Sequence, residues 1–354
     1  MRILYGVEGE GHGHATRSKA ILHELIKKHD VLVAAGGKAY SVLNGSFNTV
    51  RIEYFPVFYS HSKNTVKVHP FITFFLNTIK FPYKLIYNLK LVKCAAKFKP
   101  DIVITDFESF TCWYGLLFRK PVISIDNHHI FLKTLVSKKL GIVDKFTNFL
   151  LTKFKIPSAS YYLVFSFLSK NVLKPQKNTI VCKPVIREIF NRANKKKSHV
   201  IKDHVLIYQT ANYAPVLNAI RQIESERFIV YSDKPILTKL PPHVIIKRFS
   251  EDDFPDDLAS AKAVIINAGY SLMTEALYHK KPVLCFPIKN HYEQKLNALL
   301  LKESGYGDYS YAINQAVVRR FLGRLSLYKN NLKKYYADDN EDVINMIENI
   351  ISRT

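Results

Sequence analysis

The feature that most restricts the fold is a series of short, uninterrupted apolar runs that occurs twice. In the first half the runs are MRILYGV, HDVLVAAGG, VRIEYFPV, DIVITD, PVISID, YYLVFSF and TIVCKPVI; in the second they are HVLIYQT, RFIVYSD, HVIIKRF, AVIINAG and PVLCFPI. Helical segments such as ATRSKAILHELIKK, YAPVLNAIRQIE and SLMTEALYHKK separate them. A strand that is apolar along its whole length is buried on both faces, and such strands alternating with helices predict a parallel sheet covered on both sides. At 354 residues the chain exceeds the size at which one core keeps growing. The doubling therefore predicts two doubly wound α/β domains, at 1–190 and 205–330. The polar stretch NRANKKKSHVIKDH (191–204) reads as a linker, and 331–354 as a terminal helix expected to pack back on the first domain. Two such domains are expected to face each other across a cleft, with ligand at the C-terminal ends of their strands.

Charge is distributed unevenly along this plan. Residues 1–200 hold 32 Lys and Arg against 11 Asp and Glu, whereas residues 201–354 hold 20 against 18. Positions 54–100 and 145–187 contain no acid at all, and the first of these interleaves lysines with aromatics. That pattern suits a surface lying on anionic lipid, and the two stretches are the expected membrane-facing segments. Nucleic acid would also accept a basic aromatic face, but no nucleic-acid-binding signature accompanies it, so no nucleic-acid partner is expected. Cys94, Cys112, Cys182 and Cys285 stand alone, which suggests neither a disulfide framework nor a zinc knuckle and fits a reducing compartment. Glycines and charges within the first ten residues argue against a signal peptide, and no apolar run reaches membrane-spanning length. The expected location is cytoplasmic, peripheral on the inner face of the cell membrane.

Two stretches carry chemistry. The first is EGEGHGH (8–14), between a strand and a helix, where backbone N–H groups and a helix dipole can receive negative charge. Its glycines at 9, 11 and 13 do not have dinucleotide spacing, and the second strand ends VAAGG without the acid that would hold a ribose. Glu8, Glu10, His12 and His14 alternate along a glycine turn and diverge, so a metal site is not expected. What remains is a loop that lets a substrate approach the backbone while a histidine acts as base, or a tight turn with incidental histidines. The second stretch is VIINAGYSLMTEALYHKKPVLCFPIKNHYEQKLNA (264–298), where Asn267, Ala268 and Gly269 end a strand and Ser271, Thr274 and Glu275 open a helix. A diphosphate could sit at that helix start, and a carboxylate one turn in could take both hydroxyls of a ribose.

Together, G-E-G-x-G-H-x-x-R near the start and N-A-G-x-S-x-x-x-E-A…K-P-V-L…P…E-Q…N-A near the end resemble the GT-B glycosyltransferases. The similarity is greatest to the branch around the peptidoglycan N-acetylglucosaminyltransferase, and within it to a bacterial and archaeal group of uncharacterised glycosyltransferases with a GEGxGHxxR loop. It spans nearly the whole chain, through ITDFES (104–109) and SIDNHH (124–129). The resemblance implies two Rossmann-like domains and transfer of a hexosyl or N-acetylhexosaminyl group from a nucleotide sugar, usually UDP-linked, to a hydroxyl. It implies inversion and no metal or other cofactor, the donor serving as co-substrate. By resemblance, His14 is the loop base, with Asp106, Glu108 and Asp126 as rival bases or partners. Donor contacts fall to Gly11, Gly13, Arg17, Tyr208, Gln209, Thr210, Asn267, Gly269, Tyr270, Ser271, Thr274, Glu275, Glu293, Gln294 and Asn297, and acceptor-side contacts to Asn127 and His129. YQTANYAPV (208–216) departs from the family, which has a glycine-rich loop there, and this leaves the donor base open. The basic surface suggests a lipid-linked acceptor or cell-envelope glycan precursor. A nucleotide-sugar hydrolase of the pseudaminic-acid type shares the loop, with water replacing the acceptor. A non-catalytic GT-B protein binding a membrane or glycan is a third reading, and a UDP-sugar 2-epimerase fits the motifs less well.

Overall fold

A computed structural model describes residues 1–61, 66–134, 136, 141–168, 170–190, 202–209, 213–232, 240–250, 252–336 and 340–354. The chain forms two compact units. The first comprises Met1–Phe58, Pro70–Val185 and Ala337–Thr354; the second comprises Tyr59–His69 and Ile186–Tyr336.

The first unit is built on seven parallel strands: β1 (Arg2–Val7), β2 (Asp30–Ala35), β3 (Thr49–Arg51), β6 (Ile102–Asp106), β7 (Val122–Asp126), β8 (Tyr161–Phe165) and β9 (Thr179–Cys182). Their spatial order is β3-β2-β1-β6-β7-β8-β9. In the second unit β10 (His204–Tyr208), β11 (Arg227–Tyr231), β12 (Val244–Lys247), β13 (Ala263–Ile266), β14 (Val283–Cys285) and β15 (Gly307–Tyr309) form a six-stranded parallel sheet. Its order is β12-β11-β10-β13-β14-β15. Both orders place the first strand at the centre and reverse direction beside it, so each sheet has one switch point, β1/β6 in the first and β10/β13 in the second. Arg2–Val7 and Ile102–Asp106 are nearly all buried, as continuous apolar runs require. The second unit also holds a short antiparallel pair, β4 (Tyr59–His61) and β5 (Val66–Val68), whose chain lies far away in sequence from the rest of that unit.

Helices cover the sheets. In the first unit these are α1 (Gly13–Leu25), α2 (Gly37–Leu43), α3 (Pro70–Ile79), α4 (Phe81–Phe98), α5 (Ser109–Leu117), α6 (Ile130–Lys133), α7 (Ile142–Lys155) and α8 (Lys170–Leu173). In the second they are α9 (Tyr213–Ile220), α10 (Asp253–Ser260), α11 (Tyr270–Tyr278), α12 (Tyr292–Glu303), α13 (Gln315–Leu322) and α14 (Leu325–Leu332). Helix α1 buries Ala15, Ser18, Leu22 and Leu25, a three–four spacing that keeps one face inward. The terminal helix α15 (Asn340–Ile351) belongs to the first unit: it buries Val343, Ile347 and Ile351, and His29 Nε2 lies 3.0 Å from Glu348. The second core gathers Ile207, Phe228, Val230, Ile265, Phe286 and Phe321.

Candidate functional site

In the first unit the chain leaves β1 at Val7, makes the glycine loop and enters α1 at Gly13, directly beside the end of β6. Gly11 has φ +73°, a left-handed conformation that disfavours a side chain. Gly9 lies under the Tyr54 ring, and a Cβ there would come within 2.6 Å of it. The loop thereby delivers His14 to Asp106, the last residue of β6. His14 Nδ1 is 2.8 Å from Asp106 Oδ1, Arg17 Nε donates to Oδ2 at 3.1 Å, and Ser18 Oγ donates to Oδ2 at 2.9 Å. Arg17 Nη2 adds a further bond to Oδ1. Burial alone would push the Asp106 carboxyl up, but the Arg17 guanidinium and His14 outweigh it and hold the group below the usual carboxylate range. An ionised carboxylate only accepts, so its bond with His14 requires a proton on Nδ1; Arg17 Nη2 lies 3.1 Å from the same nitrogen. Asp106 is fully buried, whereas the His14 side chain keeps 14% of its surface exposed. The pair therefore has an inner carboxylate and an outer, partly exposed imidazole.

Two further features shape this end of the sheet. Phe107, between Asp106 and Glu108, has φ +57°, an outlying conformation for a bulky residue. It aims the ring at His128, with centroids 3.9 Å apart, and His128 in turn lies parallel to His14 at 5.6 Å. The three rings form one stack. Glu108 caps α5, accepting from Phe110 N at 2.9 Å and from Thr111 N and Oγ1 at 2.7 Å each. Burial pushes its carboxyl up to about 7 despite those donors. Asp126 receives His129 N at 2.8 Å and Ser124 Oγ at 2.7 Å, with His129 Nδ1 at 2.7 Å. Burial opposes its ionisation, but His129 prevails and its carboxyl lies below the usual range. Asn127 and His129 are both buried. Glu8 pairs with Lys155, and Glu10 accepts from Val57 N at 2.9 Å. Among the described residues no group of three or more His, Cys, Asp and Glu could hold a metal ion.

In the second unit the residues singled out from sequence gather around the β10/β13 switch point. Gly269 precedes α11, no side chain caps that helix, and the space over Gly269 is open for 4 Å. Asn267 donates to Phe286 O at 3.1 Å and Asn297 to Ala268 O at 3.1 Å, while Gln294 Oε1 accepts from Ile288 N at 2.9 Å. These three amides brace the loops at the ends of β13 and β14. Thr274 Oγ1 donates to Ser271 O at 2.9 Å, and Tyr270 is buried beside them. Glu293 lies in the first turn of α12. Glu275 is held by a partner absent from the sequence reading: Arg187 grips it with Nε at 2.6 Å from Oε1 and Nη2 at 2.7 Å from Oε2. Burial pushes the Glu275 carboxyl up, and Arg187 only partly offsets it. At the end of β10, Tyr208 packs near Phe254, and the buried Gln209 has no hydrogen-bond partner for Oε1 or Nε2 among the described residues. Thr210 lies outside the described residues. A cavity of about 450 Å³ opens at the ends of β14 and β15, lined by Asn218, Phe286, Lys289, Tyr311 and Asn314 among others. It contains none of the candidates named above.

The sequence reading missed Ser18, His128 and Arg187. Ser18 was findable, because it follows Arg17 on the same helical turn as His14. Arg187 was not, since nothing local in CKPVIRE ties it to a glutamate 88 positions on.

Comparison with known proteins identifies the family and the fold. A family model described as glycosyl transferase family 1 matches residues 1–326. A Methanosarcina mazei protein named an uncharacterized glycosyltransferase is 28% identical over 330 residues, covering 87% of this chain and 85% of its own. A Methanosarcina acetivorans protein of the same name is 27% identical over 332 residues with the same coverage. Among solved structures, a UDP-glucose:anthocyanidin 3-O-glucosyltransferase in complex with UDP matches with a TM-score of 0.70 at 12% identity, over 100% of this chain and 99% of that one. The calicheamicin glycosyltransferase CalG4 gives 0.67 at 17% identity over 100% and 98%, and Acinetobacter baumannii MurG 0.60 at 15% over 98% and 99%. At such identities the structural likeness shows the fold alone, two Rossmann-like domains of GT-B type. The chain, matched by that model over most of its length, belongs to glycosyl transferase family 1 and is a glycosyltransferase of GT-B type.

Proposed function

We propose that this glycosyltransferase moves a hexosyl or N-acetylhexosaminyl group from a nucleotide sugar, UDP-linked by preference, to an acceptor hydroxyl with inversion. The observation that carries the reading is the His14–Asp106 pair: a buried carboxylate 2.8 Å from Nδ1 of a partly exposed imidazole. An acceptor hydroxyl must lose its proton as it attacks the sugar carbon, and His14 Nε2 is placed to take it. Asp106 then stabilises the imidazolium, and Arg17 keeps Asp106 ionised. The donor is assigned to the second unit. Its diphosphate meets the uncapped start of α11, where N–H groups and the helix dipole offset the charge that grows on the leaving group. Gln209, whose amide has no partner among the described residues, is assigned to the same donor site. Glu275 takes the ribose hydroxyls once Arg187 yields one of its two contacts. Two of the structural neighbours are named as complexes with UDP and with thymidine diphosphate, which supports a nucleotide-diphosphate donor.

The motif block resembles that of the peptidoglycan branch, and by that resemblance we assign the acceptor side to Asn127 and the loop around it. With the basic aromatic segments, this favours a lipid-linked acceptor met at the cytoplasmic face of a membrane. The test is turnover of a panel of UDP-sugars with and without polyprenyl-linked and soluble acceptors. Transfer that falls by about 10²–10⁴ in His14→Ala is the expected result. Sugar release that no acceptor alters would overturn the transfer reading in favour of hydrolysis, and wild-type rates in His14→Ala would remove the assigned base.

A further inference from the structure

Helices α3, α4 and α7 of the first unit carry a large apolar face that is exposed among the described residues. Helix α3, PFITFFLNTI, has no buried residue, and Phe71, Phe74 and Phe75 are 90%, 74% and 63% exposed. Ile86 on α4 and Ile142 and Phe146 on α7 continue the exposed surface. The helices are tied together underneath. Phe81 at the start of α4 lies 6.5 Å from Phe154 near the end of α7, and Trp113 on α5 donates Nε1–H to the Phe154 carbonyl at 3.1 Å. Since α3 runs into α4 at Lys80, the three exposed faces are neighbours around one aromatic cluster.

A surface helix ordinarily turns one apolar stripe inward and shows a polar face to water. Helix α3 does neither, so water is not the medium its composition suits. The charges around it identify the medium. The whole of 54–100 lacks an acid, Lys80, Lys93 and Lys97 are exposed, and α7 carries Lys145 and Lys153 against the single acid Asp144. A rim of one sign around inserted aromatics matches a lipid surface bearing negative headgroups. Among the described residues no helix is long and apolar enough to cross a membrane, so these helices would lie along the surface.

We propose that α3, with the adjoining faces of α4 and α7, lies in the headgroup layer of an anionic bilayer, its phenylalanines in the acyl boundary and its lysines on lipid phosphate. This deepens the lipid-surface part of the proposed function and rests on that reading only for the acceptor found there.

The experiment is flotation of the full chain with vesicles of phosphatidylcholine alone or with phosphatidylglycerol, at low and high salt. Wild type is expected to float with phosphatidylglycerol vesicles at low salt and to be released by high salt. Phe71→Ser/Phe74→Ser/Phe75→Ser, which alters mostly exposed side chains, is expected to lose binding about tenfold or more. Lys93→Gln/Lys97→Gln is expected to lose about 30-fold at low salt, at about a fivefold factor per lysine. Trp113 is the only tryptophan and touches the cluster beneath this face, so brominated phosphatidylglycerol should quench its fluorescence. No flotation at low salt, equal binding to both vesicles, undiminished binding of the phenylalanine variant, or binding without quenching would each overturn the proposal. UDP stabilisation of the same preparation, read by thermal shift, reports the donor reading separately. A protein stabilised by UDP that ignores vesicles fails only here, and one that floats without responding to UDP fails only there.

Discussion

Replacing Asp106 with asparagine separates the two things that carboxylate does. It accepts from His14, twice from Arg17 and from Ser18, and its charge balances a guanidinium whose side chain is only 5% exposed. Asparagine preserves the volume but removes the negative charge that faces the buried Arg17 guanidinium. Removing one partner of a buried pair costs about 3–5 kcal/mol. For a unit of this size that lowers the unfolding temperature by about 10 °C. Because Trp113 is the only tryptophan and belongs to the first unit, its fluorescence follows the unfolding of that unit by itself. Asp106→Asn should therefore melt early by Trp113 emission. Asp106→Asn/Arg17→Met, which also removes the facing cation, should recover most of the loss. Transfer should behave differently: it falls by about 10²–10⁴ in Asp106→Asn and stays low in the double variant, because neither protein fixes the proton on His14 Nδ1. A single variant that melts like wild type would refute the claim that Arg17 depends on this carboxylate. A double variant that regains full transfer would refute the claim that Asp106 orients the base.

Three other outcomes can be measured directly. Burial raises the Glu108 carboxyl from 4.5 to about 7, so the folded unit binds that proton more tightly than the unfolded chain. Its contribution is complete below about pH 4.5 and is lost as pH rises through about 7, amounting to about 3 kcal/mol. The stability advantage of wild type over Glu108→Gln should shrink across that window, as read from Trp113 melts at several pH values. Gln209→Leu removes a buried amide without a partner among the described residues, so it should raise stability by about 1–3 kcal/mol while weakening UDP binding in calorimetry. Gly11→Ala meets open space but must hold φ near +73°, and should cost about 1–2 kcal/mol in the Trp113 transition.

Much of the fold is legible because parallel strands buried on both faces write themselves as unbroken apolar runs. RILYGV, DIVITD and HVLIY sit at the centres of their sheets as those runs demand. Shorter strands left no such mark. Gly307–Tyr309 is only GDY, and Tyr59–His61 and Val66–Val68 are too brief to show alternation. The approach of His14 to Asp106 follows from two strand ends meeting at a switch point, and strand ends can be read. Glu108 is harder, because glutamate is not a favoured cap and Ser109 beside it is the more conventional candidate. Ion pairs such as Arg187–Glu275 are tertiary events and have no local period to betray them.

The division of the chain into units has a consequence for how it is made. The first unit takes its last helix, α15, from the final eighteen residues, 337–354, and the second takes a strand pair from residues 59–69. A ribosome extruding this protein thus completes the second unit before the first. The seven-stranded sheet must wait, its α1 flank uncovered, until the final helix emerges. A nascent-chain series stopped before residue 340 should leave Trp113 in a loosened unit, and the two halves cut between Val185 and Ile186 should not fold as a clean pair.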